Sequence, residues 1–146
     1  AVAFLTPQLV TCQRSGTETS AIGALKTIGA AQALFRESDR DGDGELDYAA
    51  SLAELGDTKA RSGLIDPVLA SGLKWGYHFE VRRSEKMPEY LWIAYAWPAG
   101  DSGDRMFVAN HTGVTYYRPL NDLRAGLLLI NGDTCEIPAG WTPVGR

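Results

Sequence analysis

One stretch, Asp39-Arg40-Asp41-Gly42-Asp43-Gly44-Glu45-Leu46-Asp47-Tyr48, divides the chain into two hydrophobic periods. Before it, Ala21, Ile22, Leu25, Ile28, Leu34 and Phe35, with Ala24 and Ala31 between them, recur at helical spacing and give one apolar face. Lys26, Gln32 and Arg36 occupy other positions of that helix. After the acidic stretch, Trp75, Tyr77, Phe79 and Val81 alternate with Gly76, His78, Glu80 and Arg82, the period of a strand with one buried face. A chain that changes period at an acidic, glycine-bearing turn is helix first and sheet second, with its border at the turn.

The border also has the chemistry of a cation site. Carboxylates this close in sequence repel one another unless a cation sits among them. The order matches the first half of an EF-hand loop, with Asp39, Asp41 and Asp43 at positions one, three and five and Gly44 at the sharp turn of position six. Glu45 then offers its backbone carbonyl at position seven, and Asp47 stands at position nine. Position twelve is Ala50, where the EF-hand has a bidentate Glu, so Asp47 or Glu54 would have to supply the remaining oxygens. The expected cofactor is Ca2+. The plainer alternative is a solvated acidic turn.

Around this border the chain reads as an α+β fold, a long N-terminal helix packed on an antiparallel sheet of about four strands. The helix, residues 1–37, ends near Glu37, and residues 38–146 form a globular head. Pro7 either kinks the helix or begins it, and Gly16 weakens it. Ala49 to Leu55 reads as a short helical segment closed by Gly56. Asp66 and Pro67 are the N-cap and first helical residue of a further turn. The hairpin loop Ser84 to Glu89 joins the first strand to a central one, Tyr90 to Trp97. Arg105 to Ala109 and Val114 to Tyr117 complete the meander across the turn Asn110-His111-Thr112-Gly113. Leu127 to Ile130 offers a further strand, and the tail from Pro138 reads as irregular.

Composition narrows the function. The 146 residues carry a net charge of −4 and no basic run, which argues against a nucleic-acid partner. Cys12 and Cys135, with His78 and His111, do not make a zinc site. The two cysteines either form one disulfide, implying an oxidising compartment, or stay as separate thiols. Ala1 to Leu5 reads as the tail of a longer apolar run, a complete membrane span requiring about 20 apolar residues. Leu9-Val10-Thr11-Cys12 is a partial match to a bacterial lipobox.

Catalytic signatures are thin. Gly100-Asp101-Ser102-Gly103 copies the nucleophile motif of chymotrypsin-like proteases, but Asp104 follows it and no suitably placed His and Asp partners precede it. A turn is the better reading. His78 lies in a strand pattern and His111 in a turn. Trp75, Trp92 and Trp97 fall in strand patterns, leaving Trp141 in the tail as the candidate exposed contact.

A family resemblance runs along the chain in consistent order. It is carried by Ser20-Ala21-Ile22-Gly23-Ala24-Leu25-Lys26-Thr27-Ile28 with Ala31-Gln32, and by Tyr48-Ala49-Ala50-Ser51-Leu52-Ala53-Glu54-Leu55-Gly56 with Leu64-Ile65-Asp66. It continues in Gly76-Tyr77-His78-Phe79 and in Gly103-Asp104-Arg105-Met106-Phe107-Val108 with Gly113-Val114. These segments resemble type IV pilin-like proteins, including the pseudopilins of type II secretion, and Ala1-Val2-Ala3 with Pro7-Gln8-Leu9 looks like the end of that family's membrane helix. The resemblance implies a non-enzymatic subunit, anchored in the inner membrane until its assembly machinery builds it into an extracellular or periplasmic filament. Its partners would be copies of itself and related pilin-like subunits. The rival expectation is a monomeric secreted or lipid-anchored calcium-dependent binding module. A small hydrolase using Ser102 is the third.

Overall fold

The computed structural model describes residues 2–38, 44–56, 63–100, 103–119, 134–137 and 139–144, and for residues 2–15 the backbone alone. The fold is α+β. Helix α1 (Val2–Glu37) is followed by two short helices, α2 (Leu52–Gly56) and α3 (Pro67–Ala70). Strands β1 (Leu73–Lys74), β2 (Tyr77–Arg83), β3 (Trp92–Pro98), β4 (Arg105–Asn110), β5 (Thr115–Pro119) and β6 (Thr142–Pro143) then form one antiparallel sheet. The strands lie in chain order from β1 to β6, a meander.

Helix α1 runs through Pro7, which does not begin it, and through Gly16, and it ends at Glu37, where the sequence pattern places its end. What holds it is tertiary packing of one stripe, which outweighs weak intrinsic propensity. Ala21, Leu25, Ile28 and Phe35 are at most 2% exposed against the sheet, with Ala24 and Ala31 buried beside them. Strand β3 explains how the helix comes so close. Trp92, Ala94 and Ala96 face α1, so two of the three side chains beneath it are single methyl groups, and Ala109 of β4 adds another. Ile93 and Tyr95, of the opposite parity, belong to a second cluster with Met106, Val108, Cys135 and Trp141. Strand β3 is buried along nearly its whole length, as befits the central strand.

Some expectations need correction. The sheet has six strands instead of about four, because β1 and β6 are two residues each, too short to show a period. β6 pairs Thr142 with Tyr117 and Pro143 with Tyr116, so part of the tail read as irregular is an edge strand, where proline is tolerated. Trp75 is not in a strand. It sits in the turn between β1 and β2 with φ 58, beside Gly76 at φ 72, the pair of positive values a type I′ hairpin turn needs. Tyr90 is exposed in the loop before β3, and Leu34 is 47% exposed, off the sheet-facing stripe. The helix read at Ala49 to Leu55 starts only at Leu52 and takes in Gly56. β5 starts at Thr115, one residue after Val114. The possible strand Leu127 to Ile130 lies outside the described residues.

Other local readings hold. Asp66 is the N-cap of α3, its Oδ1 accepting from Leu69 N–H at 2.8 Å, and Pro67 is the first helical residue. The Lys74 ammonium, which hydrogen-bonds the same carboxylate, and the Leu69 N–H together hold the Asp66 carboxyl below its ordinary range. Ser51 and Glu54 form a capping pair at α2: Ser51 Oγ accepts from Glu54 N–H at 3.3 Å, and Glu54 Oε2 accepts from Ala50 N–H at 3.0 Å.

Candidate functional site

The acidic stretch follows α1 and leads to the segment that crosses back beneath it. Asp39, Asp41 and Asp43 lie outside the described residues. Gly44 has φ 82, the left-handed conformation that the sharp turn at position six of an EF-hand loop calls for. Glu45 is exposed, and Leu46 is 47% exposed beside it. Asp47, by contrast, is buried, and its Oδ2 accepts from Arg83 Nη1 of β2 at 3.0 Å. The same Arg83 nitrogen donates to the Tyr48 carbonyl at 2.9 Å, so one guanidinium ties the end of the stretch to the sheet.

The following residues are fixed more tightly. Gln32 of α1, wholly buried, donates from Nε2 to the Ala49 carbonyl at 3.0 Å and accepts from Ala49 N–H on Oε1 at 2.8 Å. Both backbone groups of a buried residue are thereby satisfied by one side chain. Tyr48 N–H donates to the Pro88 carbonyl at 2.9 Å, and the Tyr48 ring meets Trp92 edge-on at 6.3 Å. Arg36 closes the region from the helix side, donating to the Glu89 carbonyl at 2.6 Å.

Of the five sequence-predicted ligands, only Glu45 and Asp47 are among the described residues. Glu45 is exposed, as a residue contributing only its carbonyl is free to be. Asp47 has one carboxylate oxygen committed to Arg83, and Glu54 has one committed to Ala50 N–H. Among the described residues no three His, Cys, Asp or Glu side chains come together as a metal group.

The Gln32 clamp went unread in the sequence, as did a second polar anchor at the other end of the helix–sheet contact. Glu18, 8% exposed, accepts from Asp104 N–H at 2.9 Å and from Arg105 Nε and Nη2 at 3.0 and 2.9 Å. Arg105 also lies over the Tyr117 ring, 4.7 Å from its centre. Tyr77 donates to the Arg105 carbonyl at 2.9 Å. The signal was present: Glu18, Ala21, Leu25, Ile28, Gln32 and Phe35 follow one another at alternating intervals of three and four. Counting polar residues at those positions as part of the stripe picks out both Glu18 and Gln32.

The protease-like motif has a packing explanation at its last residue. A Cβ on Gly103 would stand 2.0 Å from the Tyr77 hydroxyl, so only glycine fits there. Ser102 and Asp101 lie outside the described residues. His78 stacks on Trp97, centres 5.4 Å apart, on the sheet face away from α1, while His111 is exposed in the β4–β5 turn. Trp141 is buried, not an exposed contact, and Trp75 is the exposed one at 53%. No described helix is long and apolar enough to cross a membrane. Comparison with protein families, curated proteins and solved structures finds no match to this chain.

Proposed function

We propose that the chain is a non-enzymatic structural subunit of a type IV pilus-like or type II secretion pseudopilus-like filament, with calcium bound in its acidic loop. The observation that carries this reading is the junction where α1, having laid one buried stripe on an antiparallel meander, passes at Glu37 into the acidic stretch. A filament subunit needs a helix held rigidly on its head domain while another helical face stays available. Gly23, Thr27, Ala30 and Leu34 supply such a face, exposed and spaced at helical intervals. Its partners are copies of itself and related pilin-like subunits, brought together by an inner-membrane assembly machinery.

Calcium serves structure in this reading. Asp39, Asp41 and Asp43 with the Glu45 carbonyl would hold the ion, and Asp47 would support it from the end of the loop. The Gly44 turn fits that arrangement, and the Gln32 clamp fixes the exit of the loop.

A photo-crosslinking residue at Leu34, introduced into cells that make the protein, is expected to give a ladder of cross-linked copies. A monomer with no ladder would rule out the filament. Calcium is tested separately by thermal unfolding with and without EGTA. An ion that binds only the folded state at about 100 times its Kd adds about 2.7 kcal/mol. Asp41→Ala should remove that increment, and a melting temperature indifferent to EGTA would reduce the loop to a turn. A monomer that nevertheless needs calcium would favour the secreted or lipid-anchored binding module.

A further inference from the structure

A groove of about 340 Å3 opens between α1 and the β4–β5 turn, within the roughly 300–1,000 Å3 typical of small-molecule sites. Gly29, Ala30 and Ala33 form its helix side, and the indole of Trp92 faces them. Gly29 stands directly against the Trp92 ring, a Cβ there being 3.6 Å from its edge. The wall formed by α1 and Trp92 is therefore apolar, and Asn110, His111 and Thr115 bring polar groups to the opposite rim.

The charges at this groove run against those of the chain. The protein has 18 Asp and Glu against 14 Lys and Arg, yet among the described residues no carboxylate lines the groove, whereas Lys26 and His111 both do. Lys26 is also set apart from the other described cations. Arg36, Lys74, Arg82, Arg83 and Arg105 are each engaged by a carboxylate or a carbonyl. Lys26 is exposed and has no ion pair or hydrogen bond among the described residues. An ammonium without a counter-ion beside an apolar wall is complementary to a ligand with an apolar body and an anionic head.

We infer that this groove binds a small amphiphilic carboxylate. Its flat or aliphatic body lies between the Gly29–Ala33 side of α1 and Trp92. Its carboxylate meets the Lys26 ammonium, with the His111 imidazole as a second donor. The inference does not rest on the filament reading and concerns the unassembled subunit, because Ala30 belongs both to the groove and to the helical face proposed for packing.

The test is titration of the 15N-labelled full chain with 2-naphthoate, followed by amide and indole NMR shifts, beside the neutral 2-naphthamide. Saturable shifts are expected at Gly29, the Trp92 indole N–H, His111 and Gly113, with a Kd below about 1 mM. The neutral amide should bind roughly tenfold more weakly, and Lys26→Gln should weaken the carboxylate to that level while leaving the amide unchanged. Lys26→Arg should retain binding. Ala30→Trp, a substitution at an exposed helical position, should fill the groove and abolish both titrations while the dispersed spectrum persists. Absence of saturable shifts would overturn the inference. So would equal affinity for acid and amide, or shifts centred on another surface such as the Trp75 hairpin.

Discussion

The two faces of the sheet are built from the same strands by different means. On one, a single helix lays a regular stripe over Trp92, Ala94, Ala96, Phe107 and Ala109, and polar groups at the stripe's positions, Glu18 and Gln32, fasten it to the backbone of other segments. On the other, Ile93, Tyr95, Met106 and Val108 are met by Cys135, Ile137 and Trp141, residues with no shared period. Small residues under the helix allow close approach of a rigid cylinder, while large ones on the far face fill the space beneath an irregular cover. Repetition makes the first face stiff and specific; the second is assembled residue by residue.

The contrast is easiest to break by deletion in each cluster. Phe107→Ala, on the helix face, should lose about 3–5 kcal/mol, since a wholly buried ring pinned between α1 and the sheet leaves a cavity that a helix cannot collapse to fill. Trp141→Ala should lose less, about 1–3 kcal/mol, because its indole N–H is buried without a hydrogen-bond partner among the described residues, and that penalty disappears with the ring. Urea unfolding of the two variants measures the difference. Equal losses would mean that the irregular cover is as unyielding as the helix.

The next contrast is between polar fasteners. Gln32 satisfies both the N–H and the carbonyl of buried Ala49, so Gln32→Ala strands two backbone groups and should lose about 2–4 kcal/mol. Asn110, on the far face, donates to the buried Cys135 carbonyl at 2.8 Å, but its other partner is Thr112, exposed in a turn where water can take over. Asn110→Ala therefore removes one bond to a buried carbonyl and should lose about 0.5–1.5 kcal/mol. The order of the two midpoints in urea decides the matter. A larger loss for Asn110 would place the more demanding polar contact on the irregular face.

The same difference governs what could be read from the sequence. The helix, its end at Glu37 and the order of the long strands were legible because each is a repeat, and a repeat of several residues identifies a face. The Asp66–Pro67 start of α3 was legible because capping chemistry is local. Trp75 was misread since the alternation extended past Gly76 onto it, although the backbone turns there. β6 was missed because pairing of Thr142 with Tyr117 depends on where the whole tail lies, and two residues carry no period. Glu18 and Gln32 were left out of the apolar face, though their intervals placed them on the buried stripe, and their partners, Arg105 and Ala49, are distant in the chain. In the acidic stretch, Gly44, Glu45 and Asp47 could be compared with the EF-hand pattern; the three leading aspartates lie outside the described residues.

A final, smaller contrast is in the response to alkali. Burial first, then the Glu18 carboxylate, pushes the Tyr77 hydroxyl far above its usual value on the helix face. Burial also raises Tyr95 on the far face, to about 12, but there the Arg82 guanidinium, over the ring at 6.0 Å, pulls the other way. A phenol whose folded value exceeds its unfolded one contributes stability that is complete below about pH 10 and is lost as pH rises toward the folded value. Wild-type stability should therefore fall above about pH 10. Tyr77→Phe, which removes the bond to the Arg105 carbonyl, should lose about 0.5–1.5 kcal/mol at neutral pH, and the gap to wild type should narrow in alkali. Tyr95→Phe should narrow it less, its raised value being nearer the ordinary one. Urea midpoints taken from neutral pH to the alkaline limit distinguish the two. If Tyr95→Phe flattens the alkaline loss more than Tyr77→Phe does, the phenol of the irregular face is the more strictly desolvated, and rigidity under the helix does not extend to its polar groups.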